Sequence, residues 1–520
     1  MIKTICVISG NTLRIRLAAS SAITRLFIDW RMMKFPHPKV IAIAALTGAM
    51  FCTAPYQALA QTDQVSRLCG ETRYETAYES SKKLSSTSNT IILASGENFP
   101  DALAASALAG VNNAPILLTA KSSLSNDVIR WIERGQTTKA YIVGGEAAIS
   151  ANVESALRAK GVKTERIAGA VRQDTAARIA KQVTNAVGTD TVVIANCQSP
   201  WDSLSISPYC NTTHSPVFLT EQNGALSAST VEAVKASKAT KAIIVGGPNA
   251  VKPQAEQALQ DSMTVERWAG QTRYETSQRI ADNIVKCQAG STNFVAIASG
   301  ENFPDALAGG PVVGSNQGVL LLTPKNSGSE IKSWLLSNRS GIQTCFVLGG
   351  CGAISPYVFG NIESWVHNGF DAPRTTAQSQ SNAVKKANNY LRFMAFSRQG
   401  LVRQLKYEGF STADAEYGTN STNANWSQQA LNKAKSYLKN GAFSYKGLIS
   451  QLTSQAEQFT DGQAIYAAAN CGANWFEQAA KQATSYQKIF SFSRSEMINQ
   501  LIYDGFTQKQ AEYGATCVGL

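Results

Sequence analysis

The eleven-residue block ASGENFPDALA starts at Ala94 and returns letter for letter at Ala298, with a decayed form, ANCQSPWDSLS, starting at Ala195 between them. Neighbouring motifs recur in the same order. GETRYETA begins at Gly70, GAVRQDTA at Gly169 and GQTRYETS at Gly270. APILLT, SPVFLT and GVLLLT begin at Ala114, Ser215 and Gly318, and each copy closes on an apolar run ending in paired glycines, at 144–145, 246–247 and 349–350. A spacing of about a hundred residues is too long for a solenoid turn and right for a small domain, so the chain holds three copies of one folding unit.

Within a copy, short apolar runs such as NTIILASG, APILLT and KAYIVGG alternate with the helix-like segments RYETAYESSKKL, FPDALAASALAG, LSNDVIRWIERG and SANVESALRAKG. Runs that are continuously apolar fit strands buried on both faces of a parallel sheet. Strand alternating with helix predicts an α/β, doubly wound (Rossmann-like) module, with Ser125, Ser150 and Asp101 at helix N-cap positions. The first two copies end in a further strand, VKTERIAG and TVERWAG, and the third has none before about Pro373. The first copy is preceded by VSRLCG, a strand with no owner. The expectation is that VSRLCG completes the third sheet and closes three modules into a pseudo-threefold ring. The spans are 61–165, 166–266 and 267–370, followed by a linker at 371–378.

Residues 379–520 carry a second repeat family, predicted to be all-α. Each unit has a helix, a Phe-Ser hinge (Phe396-Ser397, Phe443-Ser444, Phe492-Ser493), a second helix, a turn and a short third helix. Trp426 and Trp475 open units two and three, and aromatics at helical spacing are expected to pack in the core. With the linker, the segment 371–520 holds 15 Lys/Arg against 10 Asp/Glu.

Three histidines in 520 residues weigh against His-based catalysis or a His-rich metal site, and no cofactor or metal is expected. From Met32 or Met33 a short apolar run follows Lys34 and Lys39 and ends on Ala58-Leu59-Ala60. This is the pattern of a cleaved signal peptide within residues 1–60, leaving no stable membrane insertion. Cys52, preceded by Met50 and Phe51, lacks the setting of a lipid-attachment cysteine and belongs to the leader. Seven Lys/Arg and one Asp lie in those 60 residues, so half of the formal +12 leaves with them. The remainder is mildly basic without a clustered basic face, which excludes a nucleic-acid partner and is compatible with an anionic polymer.

Eight cysteines remain after cleavage, and an even number in an exported chain suggests disulfides. Strand C-termini and helix N-termini share one edge of a doubly wound unit, which places Cys69 beside Cys351; Cys287 and Cys345 share the opposite edge. Cys345 and Cys351 bracket an extended strand and are too far apart to bond. The expected pairs are Cys69–Cys351 and Cys287–Cys345, with Cys197–Cys210 local and Cys471–Cys517 stapling the last helical unit.

On the R-Y-E-T, ASGENFPDALA, I-L-L-T and V-G-G motifs, residues 66–370 resemble the bacterial cell-wall-binding repeat type 2 family. The resemblance implies non-covalent attachment to anionic cell-wall polysaccharide, and localisation at the wall or surface of a Gram-positive-type bacterium. In that family the I-L-L stretch is tied to attachment. The matching residues are Ile116, Leu117, Leu118, Leu320, Leu321 and Leu322, with Val217-Phe218-Leu219 a departure; as strand residues they would equally serve packing. Arg73, Arg172 and Arg273 are the chemical candidates for the polymer, because a guanidinium fork near a helix N-terminus suits phosphate. The competing expectation is an ion pair with Glu75, Asp174 or Glu275. Asp101, Asp202 and Asp305 are expected to cap helices, not to catalyse. Residues 379–517 resemble the Ltp-type host cell surface-exposed lipoprotein repeats, some members of which exclude superinfecting phage.

These readings describe a non-enzymatic surface protein anchored to the wall and displaying a helical domain with a protein partner. Two alternatives stand beside it: a phage-exclusion or host-adhesion factor acting through the helical repeats, and an enzyme that modifies wall polymer. Fold alone does not support the last, and no G-x-S-x-G, H-E-x-x-H or P-loop motif is present.

Overall fold

The computed structural model describes residues 64–520 apart from 86–88, 100, 136 and 372–374, together with three backbone strands near the N-terminus. Those strands, Thr4–Ser9, Thr12–Ala19 and Ala22–Phe27, pair antiparallel within a first unit, Met1–Gln61. The expected apolar leader, its Ala58-Leu59-Ala60 signal and Cys52 lie outside the described residues. The second unit is Thr62–Leu520.

Its first strand, β1 (Val65–Leu68), leads into α1 (Arg73–Ser81). The first module continues with β2 (Thr90–Ser95), a 3-10 turn at Asp101–Ala104, α2 (Ala105–Asn112), β3 (Ile116–Thr119), α3 (Asn126–Arg134), β4 (Lys139–Val143), α4 (Ala151–Ala159) and β5 (Lys163–Ile167). The second comprises α5 (Arg172–Val187), β6 (Thr191–Ala195), α6 (Trp201–Thr213), β7 (Val217–Leu219), α7 (Ala228–Ala236), β8 (Lys241–Val245), α8 (Pro253–Gln260) and β9 (Thr264–Trp268). The third comprises α9 (Arg273–Lys286), β10 (Phe294–Ser299), α10 (Pro304–Ser315), β11 (Val319–Thr323), α11 (Ser329–Asn338), β12 (Thr344–Leu348) and α12 (Pro356–His367).

Each module is a four-stranded parallel sheet, in orders β3-β2-β4-β5, β7-β6-β8-β9 and β11-β10-β12-β1. The third sheet takes its last strand from before the first module: Leu348 pairs with Leu68, and Gly349 N–H donates to Leu68 O at 2.8 Å. VSRLCG therefore completes the third sheet, as its leftover position in the sequence demanded. Strands β2 and β11 are buried at every residue because helices cover both faces. Helices α2, α6 and α10, which grow from the ASGENFPDALA blocks, pack on one another where the modules meet. There Gly310 leaves room for Ser207, whose Oγ would lie 2.0 Å from an added Cβ.

The tail is three helical triplets. The first holds α13 (Ala377–Phe393), α14 (Arg398–Tyr407) and α15 (Thr412–Asn420). The second holds α16 (Trp426–Asn440), α17 (Tyr445–Thr453) and α18 (Asp461–Asn470). The third holds α19 (Trp475–Gln487), α20 (Arg494–Tyr503) and α21 (Gln508–Cys517). Ser397, Ser444 and Ser493 cap their second helices through the side-chain oxygen. Trp426 packs against the core of the first triplet and Trp475 against that of the second, so each tryptophan ties its own repeat to the one before.

Two local expectations need correction. Ser125 caps α3 through its hydroxyl, whereas Ser150 heads α4 without a side-chain cap bond. The ENFPD aspartates are not N-caps: Asp101 opens the 3-10 turn, while Asp202 and Asp305 are second residues of helices headed by Pro200 and Phe303.

The four expected disulfides are also absent. Cys69, Cys351, Cys287, Cys345, Cys197, Cys210, Cys471 and Cys517 are all free thiols. Cys69 and Cys351 do share the predicted edge, but Cys351 Sγ is taken up by Arg398 Nη2 and Asn420 Nδ2, each donating at 2.9 Å. Cys345 is fully buried, with its thiol pushed up to about 12, whereas Cys287 is exposed.

Candidate functional site

The seam between modules is built from the RYET arginines and the ENFPD aspartates. Arg73, Arg172 and Arg273 each open a helix and donate from Nη1 to a carbonyl at the end of the neighbouring strand. The acceptors are Gly96 O at 2.6 Å, Cys197 O at 2.7 Å and Gly300 O at 2.6 Å. The expected ion pairs with the local acids do not form. Glu75 and Glu275 accept from the backbone of Glu71 and Gln271, and Asp174 from that of Val171. Arg73 and Arg273 stay exposed and Arg172 partly so, leaving part of each guanidinium fork toward solvent. Arg273 also lies 4.6 Å over the Trp201 ring.

Gly96 and Gly300 are glycines because the preceding helix presses on them. A Cβ at either would sit 2.5 Å from Cε1 of Tyr74 or Tyr274. The second module carries Cys197 there, and the tyrosine has become Gln173, which turns to Thr220 O at 3.0 Å. Its decayed motif is a compensated one.

The aspartates pack against the paired-glycine turns. Gly144, Gly246 and Gly349 have φ of +107°, +100° and +94°, and a Cβ there would lie 2.9, 2.5 and 2.2 Å from Oδ2 of Asp101, Asp202 and Asp305. Burial pushes Asp202 and Asp305 up to about 6, against the pull of Arg273 on the first and of Arg73, then Arg67, on the second. The larger opposing charge, Arg273 on Asp202 and Arg73 on Asp305, comes from the next module in both cases, so these attractions act across the seams.

A second arginine series escaped the sequence reading, although it recurs in TERI, VERW and VSRL. Arg166, Arg267 and Arg67 donate from Nη1 to the paired-glycine carbonyls Gly144 O, Gly246 O and Gly349 O at 2.9, 2.7 and 3.1 Å. In the first two modules a carboxylate of the next helix completes the site: Arg166 meets Glu154 and Arg267 meets Glu256, both at 2.9 Å. In the third module the equivalent helix position is Phe359, whose ring lies 4.6 Å from the Arg67 guanidinium. The carboxylate comes instead from the tail: Arg67 Nε and Nη2 donate to Glu416 Oε1 and Oε2 at 2.9 and 2.8 Å. Burial works against both charges, and their mutual attraction outweighs it, raising Arg67 and lowering Glu416.

The second triplet docks on the first module. Asp461 accepts from Tyr78 Oη at 2.6 Å and Arg134 Nη1 at 2.9 Å, and Gln463 Nε2 donates to Glu71 at 2.9 Å. The tail is thus fixed across the junction of the third and first modules.

The I-L-L residues occupy the other end of the exposure scale. Ile116, Leu117, Leu118, Leu320, Leu321 and Leu322 are at most 1% exposed, so their side chains face core and not surface.

Residues 67–154, 166–256 and 267–359 match the family of cell wall binding domain 2 (CWB2), together more than half of the chain. The chain belongs to the CWB2 family. Residues 378–421, 425–470 and 474–516 match the host cell surface-exposed lipoprotein (Ltp) repeat, so three CWB2 domains are followed by three Ltp repeats. Over 303 residues the chain is 29% identical to the N-acetylmuramoyl-L-alanine amidase LytC of Bacillus subtilis (strain 168), covering 58% of each protein. It is 30% identical over 261 residues to the amidase enhancer of the same organism, covering 50% of this chain and 35% of that one. The chain therefore spans less than two thirds of the length of these relatives. Cwp6 and Cwp8 from Clostridium difficile share the fold, with TM-scores of 0.54 and 0.53 at 20% and 24% identity. They align over 70% and 68% of this chain and 58% and 59% of theirs.

Proposed function

We propose that this CWB2 protein is a non-enzymatic wall anchor, exported to the surface of a Gram-positive-type cell. It holds anionic wall polysaccharide through the seam arginines and carries its Ltp repeats as a fixed, surface-held part. The observation that carries this reading is the triplicated arginine at a helix N-terminus. One donor of each is spent on a carbonyl, and the side chains remain exposed at 73 and 273 and partly so at 172, beside helix N-termini whose N–H groups already favour anions. The recurring acids that could have suggested catalysis pack against the glycine turns.

The test is co-sedimentation of the full chain with purified wall, before and after the anionic polymers are stripped. The reading expects retention on intact wall and its loss on stripping. Equal retention on both would refute polymer recognition, and release of soluble wall fragments would revive the enzymatic reading. Action through the Ltp repeats, as in adhesion or phage exclusion, is favoured by the exposure of Phe476 and Tyr513 on the third repeat.

A further inference from the structure

One close contact in the docking of the second Ltp repeat on the first module has a charged counterpart on a pair of surfaces that stay bare, although the hydrogen-bonding partners Tyr78, Arg134 and Glu71 become Ala177, Ala236 and Ala170 there. In the docked pair, Gly462 follows Asp461 at the start of α18 and lies so close to α3 that a Cβ would fall 2.6 Å from Arg130 Nη1. The equivalent helices share their caps: Thr460 and Thr507 head α18 and α21, and Ser125 and Ser227 head α3 and α7. Counting from those caps, Gly462 corresponds to Lys509 and Arg130 to Glu232. The two positions that touch in the docked pair have therefore become a lysine and a glutamate in the bare one. Tyr78 corresponds to Ala177, counting from Arg73 and Arg172, which clears space for the longer lysine.

Both surfaces are open. Lys509 and Glu232 are exposed, and among the described residues neither has an ion-pair partner. The hydrogen bonds of α21 stay within its own repeat. Val171, which heads the helix α5 packed against Glu232's helix, is 55% exposed, while Phe476 on α19 and Tyr513 on α21 are 42% and 44% exposed. A charge pair flanked by apolar surface on both sides is the composition of a small protein–protein contact.

We propose that the third Ltp repeat of one chain docks on the second CWB2 module of a second copy, with Lys509 set against Glu232. The contact is heterologous, so it yields a closed pair only if two chains exchange it reciprocally and an open string otherwise.

The test uses the full chain in low salt, with its mass followed over a concentration series by light scattering or sedimentation velocity. Wild type should associate, and K509E or E232K alone should weaken association by about tenfold or more, since each sets like charges together. An equimolar mixture of the two variants should recover it, because each tail then meets a complementary module. A chain that stays monomeric at every concentration would overturn the proposal. So would single variants that associate like wild type, or a mixture no stronger than its components.

Discussion

Arg67 and Glu416 form a bidentate ion pair whose side chains are 4% and 2% exposed, although they lie 349 residues apart and belong to different repeat families. The first and second CWB2 modules make the same pair internally, through Arg166–Glu154 and Arg267–Glu256. The third has Phe359 where the glutamate should be and borrows one from the first Ltp repeat. The tail is therefore a structural part of the ring, as well as something the ring carries.

Replacing Glu416 by Ala leaves a buried guanidinium without its carboxylate, which typically costs about 3–5 kcal/mol. The same change at Glu154, whose side chain is 15% exposed and faces an arginine 17% exposed, should cost markedly less. Denaturant unfolding of both variants checks the ordering, and an equal loss would contradict it.

Acid should first help and then harm. Asp202 and Asp305 titrate near 6 in the fold, above their unfolded value, so the cost of ionising them is relieved as pH falls from about 7 through 6 toward 4. Glu416 is held below its ordinary value, so its contribution is lost only as pH drops through that lower range. Unfolding midpoints measured from pH 7.5 to 3.5 should rise and then fall. Asp202→Asn together with Asp305→Asn should raise stability at pH 7.5, by on the order of 1–3 kcal/mol for each group, and flatten the rising limb.

The Gly96–Tyr74 contact predicts a coupled pair. Gly96→Cys alone should cost about 1–3 kcal/mol, because its Cβ falls 2.5 Å from the tyrosine ring. Adding Tyr74→Gln, which recreates the combination of Cys197 and Gln173, should recover most of that loss. A double-mutant cycle with no coupling would contradict the account of the decayed copy.

Charge reversal of Arg73, Arg172 and Arg273 together should weaken wall binding by at least about tenfold, since each forfeits a charge-assisted contact to phosphate. Far-ultraviolet circular dichroism should still report a folded chain, with a lower unfolding midpoint because the strand-end bonds and the charge facing Asp202 and Asp305 are lost. Retention equal to wild type would remove the arginines from the interface.

Most of the fold was legible in the sequence because it is written three times. Continuous apolar runs marked the strands, the paired glycines marked their ends, and the unclaimed VSRLCG strand pointed to the third sheet. The seam arginines were visible as residues, but not their partners. A guanidinium that reaches over a strand end to a backbone carbonyl leaves no side-chain signature, so the nearby acids drew the expectation instead. The disulfide expectation located the shared edge of Cys69 and Cys351 but could not see the polar cluster that engages Cys351. Glu416 was illegible for a different reason. Its partner lies in a strand donated from the far end of the chain, and its purpose shows only when Phe359 is set beside Glu154 and Glu256.

The decisive comparison is the unfolding midpoint of the tail-free ring, residues 64–370, with and without Phe359→Glu. Removing the tail should lower the unfolding midpoint of the ring, and Phe359→Glu should restore much of it by returning a carboxylate to Arg67 from within the module. In the full chain the same substitution should instead destabilise, because it sets a second carboxylate beside Glu416. A tail-free ring as stable as the full chain, or one that Phe359→Glu only weakens, would contradict the claim that the Ltp repeats complete the third module.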